Sequence, residues 1–283
     1  MQPVIQNQIF NYGRLRAKRE RAARMNLPDA DFLVRHAAEE ICARLAVTNR
    51  TFTRAVDLFS LSGAMAQEVA KTIPGIAITR LGEETSRDDL RLEPESFDLA
   101  FSAFGLHWCN DLPGTLVQIR RALKPDGLFM AALPGEGSLA ELRAVMLAIE
   151  TSLTGGAAMR IDPFAEVRQA GALLQRAGFA LPVADAEKLT LRYSAIASLL
   201  NDLRGIGATS VLSGPVRSLP KAVPGELERE YASAHATADG RLPMTMNIIY
   251  LTGWSPHENQ QKPLRRGSAK TSLTDVFKQG PKP

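Results

Sequence analysis

The chain has 283 residues, 45% of them hydrophobic and 23% charged, so it is long enough to bury the core of one large domain. Its net charge is +4 and its isoelectric point is about 9.2. The two cysteines, Cys42 and Cys109, have neither a metal-binding spacing nor the pattern of a disulfide framework, which favours a reducing compartment. No apolar run approaches the ~20 residues of a membrane helix, and the first residues lack the apolar stretch of a secretory signal. We therefore expect a bacterial-type cytoplasmic protein, or a protein of the mitochondrial matrix if the source is eukaryotic.

The excess positive charge is concentrated near the two ends of the chain. The basic residues there are Arg14, Arg16, Lys18, Arg19, Arg21 and Arg24 at the start, and Lys262, Arg265, Arg266, Lys270, Lys278 and Lys282 at the finish. Such runs form solvated faces or meet phosphates, lipid headgroups or acidic proteins. Aromatic residues do not alternate with them, so we expect no nucleic-acid partner. We interpret residues 1–50 as an N-terminal basic and helical segment and residues 256–283 as a flexible basic tail.

The first half of the chain alternates between predicted strands and predicted helices. The expected elements, in order, are a helix over 31–46, a strand over 54–59, a helix over 62–72, a strand over 76–79, a polar loop over 80–96, a strand over 97–103, a helix over 112–123 and a strand over 128–133. This alternation predicts an α/β fold with a parallel, doubly wound sheet.

Beyond Pro134 the pattern becomes mostly helical. Helices are expected over 138–152, 163–177, 195–206 and 225–236, and late strands over 189–193 and 246–254. Ser138 and Glu141 have the S-x-x-E spacing of a capping box. The last strand is rich in β-branched and aromatic residues, which predicts a central antiparallel partner. We therefore expect one domain over 51–255 with a helical insertion at about 138–240.

The loop after the first strand is the expected ligand site, because doubly wound folds bind ligands at the carboxyl ends of their strands. This loop, Asp57 to Gly63, resembles motif I of class I S-adenosylmethionine-dependent methyltransferases, in which an acidic residue precedes alternating glycines. Asp57 stands at the acidic position and Gly63 at the last glycine position. Phe59 and Leu61 stand at the other two, where glycine allows backbone N–H groups to approach a ligand. The resemblance implies S-adenosylmethionine as cofactor, and the two bulky residues predict that its binding is weakened or lost.

Two further departures lie at the same edge. Members of this family usually end their second strand with a carboxylate for the ribose hydroxyls, whereas this strand ends at Arg80. Glu83 or Glu84 could replace that carboxylate if the loop folds back. Residues 80–96 are also too few for the additional helix and strand that normally precede the next parallel strand. We therefore expect a Rossmann-like class I methyltransferase fold that is shortened at the edge formed by the second and third strands.

A narrower resemblance is carried by residues 97–143. The steps Leu106-His107-Trp108, Asn110-Asp111-Leu112-Pro113 and Leu123-Lys124-Pro125-Asp126-Gly127 are similar to a subgroup that contains the malonyl-carrier-protein methyltransferases of biotin synthesis and the mitochondrial complex I assembly factors with a methyltransferase domain. The segments 9–24, 163–179, 203–207, 249–254 and 266–269 resemble the assembly-factor branch. That branch is associated with maturation of respiratory complex I and with hydroxylation of an arginine on a core subunit. The resemblance thus implies a protein client, plausibly a complex I subunit, and peripheral contact with a membrane-bound assembly.

The loop after FDLAFSA supplies the other candidate site residues. His107 could act as a general acid or base or orient a substrate, or it could simply pack with Trp108. Ser102, Phe104 and Leu106 are assigned to the family's cofactor pocket, and Ser102, Phe104 and Gly105 are expected to line whatever cavity remains. Asp57 is expected to bind backbone amides of its own loop.

Three functions follow as hypotheses. The favoured one is a methyltransferase-like complex I assembly factor with a degenerate cofactor site, which acts by binding a protein client. The alternative is an active S-adenosylmethionine-dependent methyltransferase or arginine-modifying enzyme, and the third is a small-acid O-methyltransferase like the biotin enzyme. The sequence has no motif of a metalloprotease, a serine hydrolase or a P-loop NTPase, and no metal ligands are expected.

Overall fold

The computed structural model describes residues 8–215 and 222–261. Its helices are α1 (Tyr12–Met25), α2 (Phe32–Ala46), α3 (Ala64–Thr72), α4 (Leu112–Ala122), α5 (Ala140–Thr154), α6 (Val167–Arg176), α7 (Ile196–Gly205) and α8 (Val223–His235), with a 3₁₀ turn over Leu106–Trp108. Its strands are β1 (Arg54–Leu58), β2 (Ala77–Leu81), β3 (Phe97–Ala103), β4 (Leu123–Pro134), β5 (Ala180–Tyr193) and β6 (Leu242–Trp254).

The six strands form one sheet in the order β2-β1-β3-β4-β6-β5. Strands β1 to β4 pair in parallel, and β6 lies between β4 and β5 and runs antiparallel to both. The predicted Rossmann-like α/β fold is confirmed, and so is the prediction that the last strand is a central antiparallel partner. Helices cover both faces, so the central strands are buried on both sides, as parallel strands require.

The sheet ends at β2, which has no strand on its outer side among the described residues. Residues 82–96 join β2 to β3 without a helix or strand of their own. The predicted shortening at this edge is therefore present. The connection is anchored by two side chains that point inward, Leu90 and Arg87, which are 3% and 2% exposed.

Two hydrophobic clusters lie on opposite faces of the sheet. One contains α2, α3, α5 and α8 together with Leu15 of α1, so the N-terminal segment packs on the same core as the sheet. The other contains α4 and α6. Helix α4 shows why these elements form: Asp111 accepts a hydrogen bond from the Gly114 N–H, and the helix buries Leu116 and Ile119 on one face.

The second half of the chain differs from the prediction in two places. Strand β5 begins at Ala180 rather than at 189, and it pairs with β6 up to Tyr193, so the insertion is not purely helical. The capping box is wrong. The Ser138 hydroxyl donates to the Asn247 carbonyl and accepts from the Asn247 N–H, both at 3.0 Å, while Glu141 binds the backbone and hydroxyl of Thr245. The β6 residues Thr245 and Asn247 thus hold these side chains in place of the helix start.

Four of the six basic residues near the start donate hydrogen bonds to backbone carbonyls, and Arg16 donates to that of Glu83 at 2.9 Å. Arg14, Lys18 and Arg19 donate hydrogen bonds to backbone carbonyls of the segment 206–214, which follows α7. Arg16, Arg21 and Arg24 remain exposed. The predicted flexibility of the tail concerns mainly residues 262–283, which lie outside the described residues. Over the described ranges, no helix is long and apolar enough to cross a bilayer.

Candidate functional site

The carboxyl ends of β1 and β3 carry the loops that the sequence marked as the ligand site. Phe59 follows β1 with a left-handed φ of 60°, a conformation that favours glycine, and its ring is buried. The β3 loop touches it directly, because a Cβ on Gly105 would lie 2.3 Å from the Phe59 carbonyl oxygen. The backbones of the two loops are therefore in contact at the position of the first missing glycine.

The backbone amides of Ser60 and Leu61 and the hydroxyl of Ser60, in the β1 loop, form hydrogen bonds within the chain. The Leu61 N–H donates to the Ala103 carbonyl at 3.0 Å, and the Ser60 hydroxyl accepts from the Ala103 N–H at 2.9 Å. The Ser60 N–H lies 3.2 Å from an Asp57 carboxylate oxygen, as expected for an acid that organises its own loop. Ser102, assigned to the pocket, is fully buried instead and donates to the Leu58 carbonyl at 2.6 Å.

Asp57 forms an ion pair with Arg80 across the first two strands. The residues stand opposite each other in the β1–β2 register, and Arg80 Nε lies 2.9 Å from Asp57 Oδ2. The carboxylate is 1% exposed and the guanidinium 49% exposed. Burial raises the pKa of Asp57, and hydrogen bonds from Ser60 and the charge of Arg80 partly offset this rise. Arg80 thus occupies the strand end where a ribose-binding carboxylate was expected, and it neutralises the motif I acid.

A second arginine fills the space beneath the shortened edge. The Arg87 side chain is 3% exposed, and it donates to the Gly105 carbonyl at 2.7 Å and to the Glu83 carboxylate at 2.8 Å. Its guanidinium lies 4.3 Å from the centre of the Phe59 ring, a cation–π distance. The Phe59 ring, which stands at a glycine position of the family pattern, therefore packs against the buried guanidinium of Arg87.

A third arginine reaches the same place from α1. Arg19 donates to the carbonyls of Leu61 and Ile206, and its Nε lies 3.5 Å from Glu83. Burial lowers the pKa of Arg19 to about 10, although Glu83 opposes this shift. Glu84 does not supply a free carboxylate either, because it accepts from the Gly82 N–H at 3.1 Å. Glu83 and Glu84 were the two candidates to replace the ribose-binding carboxylate. Glu83 is paired with arginines, and Glu84 is bound to the backbone of its own loop.

The charged residues at this edge depart from the cofactor pattern of the family. In the family, a carboxylate at this edge accepts hydrogen bonds from the cofactor ribose. Here Arg19 of α1, Arg80 of β2 and Arg87 of the following connection meet at the edge, and the carboxylates of Asp57 and Glu83 are paired with them.

A cavity of about 840 Å³ opens on the other side of the β3 loop. Leu61 and Phe104 lie on its wall next to His107 and Trp108. Of the residues expected to line it, Phe104 does so, whereas Ser102 is fully buried behind the loop. Leu106 and Phe59 belong to the hydrophobic cluster on the opposite face of the sheet.

His107 lines the cavity but makes no hydrogen bond through Nδ1 among the described residues, although this atom is buried. Its ring lies 4.0 Å from that of Trp108 and meets Phe164 edge-on at 6.3 Å. Burial, reinforced by the charge of Arg87, lowers the pKa of His107 to about 3. At neutral pH it is therefore an uncharged imidazole packed among aromatic rings, which suits it to a wall more than to a proton carrier.

Trp108 is held by an acid that the sequence did not single out. Its indole N–H donates to Asp162 at 2.9 Å, and the Ser210 hydroxyl donates to the same carboxylate at 2.5 Å. Asp162 is 5% exposed and lies just before α6, more than fifty residues from Trp108 in the chain. No local motif marks it, and it lies one residue before the segment 163–179 that resembles the assembly-factor branch.

Other classes of site find no support in the described part of the chain. No group of three or more histidine, cysteine or acidic side chains there could hold a metal ion. Cys42 and Cys109 are both free and buried, and burial raises the pKa of Cys109 to about 12, so neither thiol is activated.

Comparisons with known proteins identify the family of the chain. A methyltransferase domain family model matches residues 38–131. The human protein "Arginine-hydroxylase NDUFAF5, mitochondrial" is 33% identical over 288 aligned residues, which cover 95% of this chain and 84% of that protein. A malonyl-[acyl-carrier protein] O-methyltransferase of Gallionella capsiferriformans is 36% identical over 168 residues, 59% of this chain and 55% of that enzyme. A putative methyltransferase structure from Bacillus halodurans has a TM-score of 0.48 at 11% identity and covers 77% of this chain and 98% of that one. The chain therefore belongs to the class I S-adenosylmethionine-dependent methyltransferase superfamily, in the subgroup that holds the NDUFAF5 arginine-hydroxylases and the malonyl-[acyl-carrier protein] O-methyltransferases.

Proposed function

We propose that this protein is a complex I assembly or maturation factor that binds a complex I subunit as its client and does not use S-adenosylmethionine. The observation that carries the proposal is the set of three arginines, Arg19, Arg80 and Arg87, which occupy the cofactor edge and satisfy its carbonyls and carboxylates. The full-length similarity to the NDUFAF5 proteins supports the choice of client. We place its work in a bacterial-type cytoplasm, or in the mitochondrial matrix of a eukaryote, beside a membrane-bound assembly.

Binding of the cofactor would have to break these contacts. Displacing Arg80 would leave the buried Asp57 carboxylate unpaired, and displacing Arg87 would leave the Gly105 carbonyl and the Phe59 ring without their partner. Removing one partner of a buried ion pair costs about 3–5 kcal/mol, a range that applies to Arg87, which is 3% exposed, whereas the loss of the half-exposed Arg80 costs less. Since every 1.4 kcal/mol is tenfold in affinity, one such loss weakens binding by roughly a hundredfold or more.

Calorimetric titration with S-adenosylmethionine tests the cofactor half of the proposal. We expect no measurable binding by the unchanged chain up to about millimolar ligand. The matched comparison is a variant with the family pattern restored, Phe59→Gly, Leu61→Gly and Arg80→Asp, which is expected to gain affinity if it folds. If the unchanged chain binds S-adenosylmethionine with low-micromolar affinity, the cofactor half of the proposal is refuted, whatever the variant does.

The client half is tested separately by co-purification from the native host, with bound proteins identified by mass spectrometry. We expect a complex I subunit to be enriched over a control purification of an unrelated protein carrying the same tag. Recovery of no complex I subunit, under conditions in which complex I is being assembled, would count against the proposed client.

An active enzyme is the second candidate, because a cavity of about 840 Å³ adjoins the β3 loop and the related proteins are named arginine-hydroxylases. In this case the arginines would have to swing aside when the cofactor binds. A ligand that binds the folded state must raise the melting temperature. A clear rise with millimolar S-adenosylmethionine would favour this candidate, and its absence favours the assembly factor.

A further inference from the structure

The large cavity is lined mainly by aliphatic and methionine side chains. It lies between α1, α5, α7 and the inner face of β6, where Leu139, Leu142, Met146, Leu203, Met244 and Met246 form much of its wall. Its volume of about 840 Å³ lies within the ~300–1,000 Å³ of small-molecule sites. Methionines have flexible side chains that adapt to irregular apolar ligands. The wall is therefore suited to a flexible hydrocarbon.

One side of the cavity is cationic. Arg14 and Lys18 lie one turn apart on α1 and both line the cavity. Arg14 donates to the carbonyls of Leu212 and Gly214, and Lys18 donates to that of Ser210. Within the described residues, neither has a carboxylate at ion-pair distance. An arginine has five N–H donors and a lysine three, so both keep donors for a ligand.

The remaining titratable groups on the wall offset only part of this positive charge. Asp162 is the acid that lines the cavity; its oxygens accept from the neutral donors of Trp108 and Ser210, and its charge acts on Lys18, so it offsets one of the two cations. Arg160 forms an ion pair with Glu150, and His107 packs against Trp108. The net charge that faces the cavity is therefore positive, which attracts an anionic group and repels an ammonium or guanidinium.

We propose that this cavity binds a fatty-acid-type carboxylate, with its hydrocarbon chain along the leucine and methionine wall and its carboxylate at Arg14 and Lys18. The proposal does not depend on the proposed function, since it concerns neither the cofactor edge nor a protein client. Two features commit it to this class of ligand: the apolar lining and the pair of cations on one turn of α1.

A series of ligands with one chain length and different headgroups tests the proposal on the intact protein. Displacement of the fluorescent fatty acid cis-parinaric acid is measured with laurate, dodecanol and dodecylamine. We expect laurate to displace the probe at least tenfold more tightly than dodecanol, and dodecylamine to be weakest. Equal displacement by all three would overturn the carboxylate assignment, and failure of the probe and of laurate to bind would overturn the site.

Variants locate the carboxylate. Lys18→Gln keeps a donor for the Ser210 carbonyl but removes the charge, so laurate is expected to bind about tenfold more weakly while dodecanol is unchanged. Arg21→Gln, at an exposed position of the same helix, is the matched control and is expected to change neither ligand. Equal weakening of laurate and dodecanol by Lys18→Gln would show that the charge is not recognised. If Lys18→Gln does not fold, as judged by circular dichroism, the headgroup series on the unchanged chain decides alone.

Calorimetry with S-adenosylmethionine and recovery of the client have no bearing on this outcome. A failure of the fatty-acid site is therefore distinguishable from a failure of the proposed function.

Discussion

The uncharged state of His107 makes a quantitative prediction about stability and pH. In the folded protein, burial and the nearby Arg87 lower the pKa of His107 to about 3. In the unfolded chain a histidine titrates near 6.5. The unfolded state therefore binds a proton between these values while the folded state does not, so stability is full above pH 6.5 and falls as the pH falls toward 3.

The magnitude at pH 5 follows from the interval between 6.5 and 5. One pH unit is worth about 1.36 kcal/mol, so this histidine removes about 2 kcal/mol from the free energy of unfolding between pH 8 and pH 5. Other groups also titrate in this range. They are common to the protein and to a variant at one position, so the difference between the two isolates His107.

The perturbation is His107→Phe, which keeps a ring beside Trp108 and removes both nitrogens. It also removes the Nδ1 atom that has no partner among the described residues, so it is expected to be neutral or mildly stabilising at pH 8. Urea unfolding, followed by tryptophan fluorescence at pH 8 and at pH 5, gives the two free energies. We expect the variant to lose about 2 kcal/mol less than the unchanged chain between these conditions.

The control is His257→Phe, which removes an exposed imidazole and is expected to keep the pH dependence of the unchanged chain. If His107→Phe and the unchanged chain lose the same free energy between pH 8 and pH 5, then His107 takes up a proton in the folded state. The interpretation of His107 as an uncharged residue of the cavity wall would then be wrong, and a role as general acid or base would be favoured.

Five further substitutions, in three sets, test contacts of the site and of the fold. Arg87→Met should lower the free energy of unfolding, measured in urea, by about 2–4 kcal/mol. It leaves the buried Gly105 carbonyl without its donor and removes the ion pair to Glu83. A loss below about 0.5 kcal/mol would contradict a structural role for this arginine. Gly105→Ala should lower the free energy of unfolding by about 1–3 kcal/mol or more, because its Cβ would lie 2.3 Å from the Phe59 carbonyl oxygen. The control is Gly225→Ala, where a Cβ would meet nothing within 4 Å, and it should be neutral or stabilising. Equal effects of the two substitutions on the melting temperature would argue against the contact between the two loops. Thr245→Val should lower the free energy of unfolding by about 1–2 kcal/mol, because it removes the hydroxyl that donates to Glu141 at 2.6 Å. Ser138→Ala should lower it by a similar amount, because it removes the hydroxyl that binds the Asn247 backbone. If only Ser138→Ala lowers the stability, a capping role for Ser138 would be favoured again.

The core of the fold could be predicted because its strands are short apolar runs between clear turn signals. FDLAFSA corresponds residue for residue to β3, and the apolar periodicity of 31–46 and 112–123 gives α2 and α4 within a residue or two. The sequence predicts only the last residues of β5. The whole strand lies at the sheet edge with alternate side chains exposed, and its earlier part, LPVADAEK, also contains a proline and three charged residues, so its apolar signal is weak.

The candidate site could be predicted only in part, because its decisive contacts join residues far apart in the chain. Phe59, Leu61 and Arg80 could be identified as departures from a family pattern. Nothing in the polar stretch 81–96 indicates that Arg87 is buried while Arg91 is exposed, since charged residues in a loop are normally solvated. The burial of Arg87 depends on the Phe59 ring and the Gly105 carbonyl, and these are brought together only when β1 and β3 pair.

The same contacts give the departures from the family pattern a common physical cause. A glycine at position 59 would leave a gap under Arg87, and an acid at position 80 would place a second carboxylate beside the buried Asp57. Phe59, Arg80 and Arg87 therefore depend on contacts within the same site. The Phe59 ring packs against the Arg87 guanidinium, and the Arg80 guanidinium neutralises Asp57. Restoring a single residue of the family pattern would break a contact without creating a cofactor pocket. For this reason the restoration of cofactor binding requires the combined variant, and any single change at these positions is expected to reduce stability without restoring affinity.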